Sequence, residues 1–126
     1  MTTLTKAEEQ LMQILWEEKE GFVKDLLQHF PDPKPAYNTV STIIRILEKK
    51  GFVDHQSFGK SHQYYPLVSR EQYRNERFSS LMKDYFNNSM QQVLSHFGKS
   101  GSLNLKEADE IIKMMEDIKQ KAGSNE

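Results

Sequence analysis

Three prolines in five residues, Pro31-Asp32-Pro33-Lys34-Pro35, constrain this chain more than any other feature. Each proline lacks an amide donor and drives its predecessor out of the helical region, so no helix passes through the segment. Regular structure upstream must end there, and the downstream chain must start a new element. Upstream, Thr5-Lys6-Ala7-Glu8 has the form of a capping box, which predicts a helix start, with Ala7, Leu11, Ile14 and Leu15 on one face. Gly21 is read as its end. Val23, Leu26, Leu27 and Phe30 then show the i, i+3, i+4, i+7 spacing of a second, short helix. Downstream, a third helix is predicted from about Ala36 to Lys50, with Ala36, Val40, Ile43, Ile44 and Leu47 inward and Gly51 as a left-handed cap.

After Gly51 the period changes from helical to extended. Phe52-Val53-Asp54-His55-Gln56-Ser57 and His62-Gln63-Tyr64-Tyr65 flank Phe58-Gly59-Lys60-Ser61, a connection with glycine inside it, which predicts a β-hairpin closed by Pro66. Three helices and then a hairpin is the order of a winged helix-turn-helix. From Ser69 the helical period returns. Ser69-Arg70-Glu71-Gln72 is a second capping box, with Tyr73, Phe78, Leu81, Met82, Tyr85 and Phe86 after it. Asn87-Asn88-Ser89 interrupts, and a new helix carries Met90, Val93, Leu94 and Phe97. Gly98 to Ser102 reads as a loop. A last helix opening at Asn104 carries Ala108, Ile111, Ile112, Met115 and Ile118 and is expected to end at Gly123.

Composition decides how these pieces group. With 126 residues, 37% hydrophobic and a mean hydropathy of −0.74, the cores are thin. The expected class is mainly α with a small β wing (α+β): a winged helix-turn-helix DNA-binding domain over residues 1–68 and a helical dimerisation domain over 69–126. The tail helices enclose too little surface to balance their ordering entropy alone, so they are expected to pair two copies of the chain. The residues assigned to that interface are Leu81, Met82, Tyr85, Phe86, Val93, Leu94, Ile111, Ile112, Met115 and Ile118. The absence of cysteine removes disulfides and thiolate chemistry. With neither a long apolar run nor a secretory leader, no membrane insertion and a cytoplasmic location are expected.

The net charge of −1 hides an asymmetry. Residues 1–25 carry three lysines against six acids, whereas residues 33–65 carry five Lys/Arg against two acids. The basic stretch holds the third helix. A turn of 100° per residue puts Asn38, Thr42, Arg45 and Lys49 opposite its buried stripe, with Ser41 at the flank. Asn pairs bidentately with adenine, Ser and Thr serve base or phosphate, and the Thr methyl meets that of thymine. Asn38, Ser41, Thr42 and Arg45 are thus candidate base readers. Lys34, Tyr37, Thr39, Lys49 and Lys60 are candidate phosphate contacts, Lys60 from the tip of the wing.

Leu4-Thr5-Lys6-Ala7-Glu8, Ile14-Leu15-Trp16, Tyr37-Asn38-Thr39-Val40-Ser41-Thr42-Ile43-Ile44, Leu47-Glu48-Lys49-Lys50-Gly51 and Tyr64-Tyr65-Pro66-Leu67-Val68-Ser69 resemble the penicillinase repressor family, BlaI/MecI/CopY. The resemblance covers most of the chain. It implies a homodimeric winged-helix repressor that binds a palindromic double-stranded operator and blocks transcription of antibiotic-resistance (β-lactamase-type) or transport genes. It places Thr39, Ser41 and Thr42 where the family's recognition helix meets DNA. It also implies relief of repression by a membrane sensor-transducer protease cutting an Asn-Phe bond, which here corresponds to His96-Phe97. Two departures stand out. Ile46 occupies the position before the buried Leu47 where the family usually has Arg, with a cation one place earlier at Arg45. The C-terminal cysteines of the copper-sensing members are missing, which excludes thiolate metal sensing.

No nucleophile elbow, phosphate loop or paired catalytic carboxylates occur, so an enzyme is not expected, nor is any cofactor. His29, His55, His62 and His96 show no metal-ligand spacing; His55 and His62 lie on opposite arms of the hairpin without an obvious third ligand, and no metal site is expected. The alternative from another class is a protein-interaction adaptor on a winged-helix scaffold without sequence-specific DNA binding.

Overall fold

The structure, a computed structural model, describes residues 3–124. The chain divides into two compact units, Met1–Ser79 and Ser80–Glu126.

The first unit contains α1 (Lys6–Glu18), β1 (Gly21–Phe22), α2 (Val23–Leu27), α3 (Tyr37–Lys49), β2 (Val53–Phe58), β3 (Ser61–Pro66) and the start of α4 (Arg70–Phe86). The capping box forms: the Glu8 amide donates to Thr5 Oγ1 at 3.2 Å, and the Thr5 amide donates to Glu8 Oε1 at 2.9 Å. The buried face of α1 is Glu8, Leu11, Met12 and Leu15, whereas Ala7 faces solvent. The expected inward Ala7 is corrected because the Glu8 carboxylate has partners inside: Lys50 Nζ donates to both its oxygens, at 2.8 and 2.7 Å. Burial alone pushes the Glu8 carboxyl up; the Lys50 ammonium and the Thr5 donors outweigh it and hold it below the ordinary glutamate value.

α1 stops at Lys19, whose φ is 73° and whose amide reaches the Leu15 carbonyl at 2.7 Å. Gly21 is therefore not the stop. It opens β1, where a Cβ would stand 2.8 Å from Leu26 Cδ2, so a glycine is needed for close approach. The second helix is also shorter than its apolar spacing suggested. It closes at Leu27, and residues 28–30 tighten into i→i+3 bonds that seat Phe30 in the core.

α3 is anchored by Val40, Ile44 and Leu47, all fully buried. It ends in a Schellman motif: the Phe52 amide reaches the Leu47 carbonyl at 2.9 Å, the Gly51 amide reaches Glu48 at 3.1 Å, and Gly51 takes φ 86°. Phe52 then packs beneath the helix that it terminates. The hairpin pairs Val53 with Pro66 through Phe58 with Ser61, leaving a two-residue turn, Gly59-Lys60, with Gly59 at φ 63°. Glycine at the first turn position suits the twist of the strands. β1 joins the far edge of β3, giving the antiparallel order β1-β3-β2.

Tyr73 belongs to this core. Its ring lies edge-on to Phe52 at 5.8 Å and tilted to Trp16 at 5.9 Å, and its hydroxyl accepts from the Leu4 amide at 3.3 Å. Trp16 Nε1 donates to the Val68 carbonyl at 2.8 Å. Trp16→Phe is expected to cost about 1 kcal/mol by losing that bond, read as a lower urea midpoint with unchanged slope.

The second unit holds the rest of α4, α5 (Met90–Ser100) and α6 (Leu105–Ser124). Asn87 and Asn88 take φ of 50° and 59° and turn the chain out of α4. Ser89 Oγ caps α5 by accepting from the Gln92 amide at 3.2 Å. α5 runs through Gly98 to Ser100 and stops at Gly101, φ 76°. The expected loop over 98–102 is thus mostly helix: a glycine inside a helix costs only part of a kcal/mol, and Gly101 supplies the left-handed stop. Asn104 and Glu107 cap α6 reciprocally, at 2.8 Å in both directions, and α6 continues through Gly123, where a stop was expected. Of the apolar residues in this unit, Met82 is buried and Phe86, Val93, Leu94 and Ile111 are half-buried; Leu81, Tyr85, Ile112, Met115 and Ile118 are exposed.

Candidate nucleic-acid interface

The outer face of α3 carries Tyr37, Asn38, Thr39, Thr42, Arg45 and Lys49, all exposed, with Ser41 half-buried. Their backbone is held by the buried stripe beneath, so they stand on a rigid rod of 13 residues, about 20 Å long at 1.5 Å per residue. No side chain caps its N-terminus. Thr42 Oγ1 donates to the Asn38 carbonyl at 2.9 Å, and Arg45 Nε to the Ser41 carbonyl at 3.1 Å. The Thr42 proton is thus committed to its own helix, which leaves its methyl, and its oxygen as an acceptor only, for a base. Ile46, 42% exposed, lies one turn further along the same side and extends this apolar strip.

Beside α3 runs a groove of about 730 Å3, lined by Tyr37, Ser41 and Arg45 of α3, Lys24 and Asp25 of α2, and Phe58, Lys60 and His62 of the wing. Three cations, Lys24, Arg45 and Lys60, face it against one carboxylate, Asp25. Lys24 was not among the expected phosphate contacts. Its signal was its place on the polar side of the short second helix. Phe22 meets Phe58 edge-on at 5.9 Å, bracing the wing from the β1 side. Lys34, expected to grip phosphate, has its ammonium on the carbonyls of Phe30 and Gln28 at 2.8 and 3.2 Å, where it closes the C-terminal end of the α2 region. Lys49 stands on the last turn of α3, away from the groove-lining set.

Beneath the wing, Tyr64 is buried, and its phenol is raised first by that burial and then by the Glu48 charge, with Arg45 opposing. Glu48 contacts His55 Nδ1, and Asp54 Oδ1 accepts from the His55 amide at 2.8 Å. Among the described residues no helix is long and apolar enough to cross a membrane.

A compact triangle of helices, a small antiparallel sheet and a polar helix beside a basic-tipped hairpin define a winged helix-turn-helix protein. Residues 4–117 match the penicillinase repressor family, and the chain belongs to it. That family is one of DNA-binding transcriptional repressors, not of enzymes. The methicillin resistance regulatory protein MecI of Staphylococcus aureus is 24% identical over 109 residues, covering 86% of this chain and 89% of MecI. The penicillinase repressor of Bacillus licheniformis is 19% identical over 119 residues, covering 94% and 93%. The solution structure of the DNA-binding domain of the repressor BlaI superposes with a TM-score of 0.50 at 21% identity, over 56% of this chain and 88% of that one, and agrees in fold.

Proposed function

We propose that this chain is a homodimeric repressor of a palindromic operator controlling resistance or transport genes. The single observation that carries the reading is the exposed polar face of α3, clamped from below and set beside a groove with three cations. α3 enters the major groove with Asn38, Ser41, Thr42 and Arg45 toward base edges. Tyr37, Thr39, Lys49 and Lys60, joined by Lys24, meet phosphates. Lys34 serves the fold instead. The exposed apolar residues of the second unit pair two copies, which spaces the readers by whole turns of duplex.

Lys60→Ala is expected to weaken binding about equally on every sequence and to lower the salt slope by about 1, as one phosphate contact is lost. Thr42→Ala is expected to lose discrimination at one base pair. Replacing thymine by deoxyuridine there, which removes only the methyl, reproduces that loss in the wild type and does nothing further in the variant. Mobility shifts on duplexes selected from a random pool measure both. Absence of any binding at low salt favours the adaptor role instead.

The proposed cleavage site lies further inside its helix than expected, because α5 continues past Phe97 to Ser100. His96 and Phe97 lie inside α5, with the His96 ring edge-on to Phe86 at 6.0 Å. A membrane sensor protease that relieves repression here must first unwind the last turns of α5.

A further inference from the structure

We propose that Glu48, Asp54 and His55 form a binding site for a first-row divalent cation, best matched by Zn2+, where the end of α3 meets the start of the wing. Sequence spacing showed no third ligand near the wing histidines. Folding supplies it by bringing the last turn of α3 against β2, and the donor atoms of the three side chains then lie within 4.8 Å of one another.

The His55 ring is already oriented. It stacks on His62 at 4.1 Å with planes 11° apart, and its Nδ1 rests on Glu48 Oε2. Among the described residues, no lysine or arginine forms an ion pair with Glu48 or Asp54, so no cationic side chain neutralises the two carboxylates. The C-terminal end of α3 adds its own partial negative charge. Zinc bonds of about 2.0–2.2 Å put tetrahedral neighbours about 3.5 Å apart, so an ion would replace the proton between Glu48 and His55 Nδ1 and spread that pair to accommodate itself. The side chains of Glu48 and His55 are 31% and 26% exposed, which leaves solvent as a fourth ligand and an open way in. One imidazole with two carboxylates suits zinc; the lack of sulfur disfavours Cu(I), and the nitrogen disfavours Mg2+ and Ca2+.

The ion would tie the reading helix to the wing and cancel two negative charges near the phosphate path. Zinc and duplex should therefore strengthen each other's binding by the same factor. That coupling rests on the DNA-binding reading; the site itself does not.

The test is calorimetric titration of Zn2+ into the full chain, stripped with EDTA and dialysed, without duplex. One ion per chain is expected, with affinity at least tenfold lower in Asp54→Asn and in His55→Gln. His29→Gln, which removes a histidine paired with Glu18 at 2.9 Å, should leave the affinity unchanged. Mn2+ should broaden amide resonances in order of their distance from residues 48, 54 and 55, those three most strongly. Equal zinc affinity in wild type, Asp54→Asn and His55→Gln overturns the proposal, as does an isotherm abolished by His29→Gln. In a second arm, zinc should raise duplex affinity severalfold in the wild type and not in Asp54→Asn. Loss of all duplex binding, with or without zinc, overturns the DNA reading and leaves the calorimetry to decide the site.

Discussion

Lys50→Met is expected to lower stability by about 3 kcal/mol at pH 7, because removing one partner of a buried pair strands the other charge. The Glu8 carboxylate is 5% exposed and 2.7 Å from Lys50 Nζ, so in the variant only Thr5 and the start of α1 remain to offset its burial. The depressed carboxyl sets the sign with pH. Stability from ionised Glu8 is fully present above the ordinary value of 4.5 and is lost as pH falls through the lower folded value. The gap between wild type and variant should therefore be largest near neutrality, where Glu8 is ionised in both, and shrink as falling pH protonates the stranded carboxylate of the variant first. Urea melts at several pH values check this, and a gap of constant size would show that the charge is not the cause. Glu8→Met in the Lys50→Met background should recover part of the loss, since an apolar pair requires no desolvation of ions.

Ile112→Asp combined with Ile118→Asp on α6 is expected to produce a monomer and to lower operator affinity by about 100-fold or more, because the second half-site is then no longer bound at high effective concentration. The two side chains are 55% and 64% exposed within the chain, so the substitutions leave its internal packing alone. Sedimentation should show the monomer, circular dichroism an unchanged helix content, and binding to an isolated half-site near the wild-type level. A persistent dimer, or a full palindrome bound as tightly as before, counts against pairing through α6.

The parts of this fold that were legible in the sequence are those set by local chemistry. The Thr5–Glu8 box, the proline break, the α3 stripe with its Gly51 cap and the hairpin each arise from residues close together in the chain, and each forms, except that Ala36 is the exposed N-cap of α3 and not part of its inward stripe. The features that escaped depend on partners far away in sequence. Glu8 faces inward because Lys50 arrives 42 residues later. β1 exists because β3 offers it an edge, and two residues carry no period. Tyr73, beyond the hairpin, packs against Trp16 and Phe52, so the first compact unit takes in the start of α4. At the interface, the outward helix face was readable from a 100° wheel. The occupation of the Thr42 hydroxyl by Asn38 and of the Lys34 ammonium by two carbonyls was not, since both are choices among competing hydrogen-bond partners.

The two-residue turn between β2 and β3, with β1 seated on the opposite edge, limits how proteins of this kind diverge. One residue added within β3, which is paired on both edges, would slip the pairing and swap inward for outward side chains along the arm. Changes of length within the paired arms are thereby closed to this hairpin. What remains free to vary is the set of side chains at Phe58, Lys60 and the outer face of α3, on a backbone whose register is fixed.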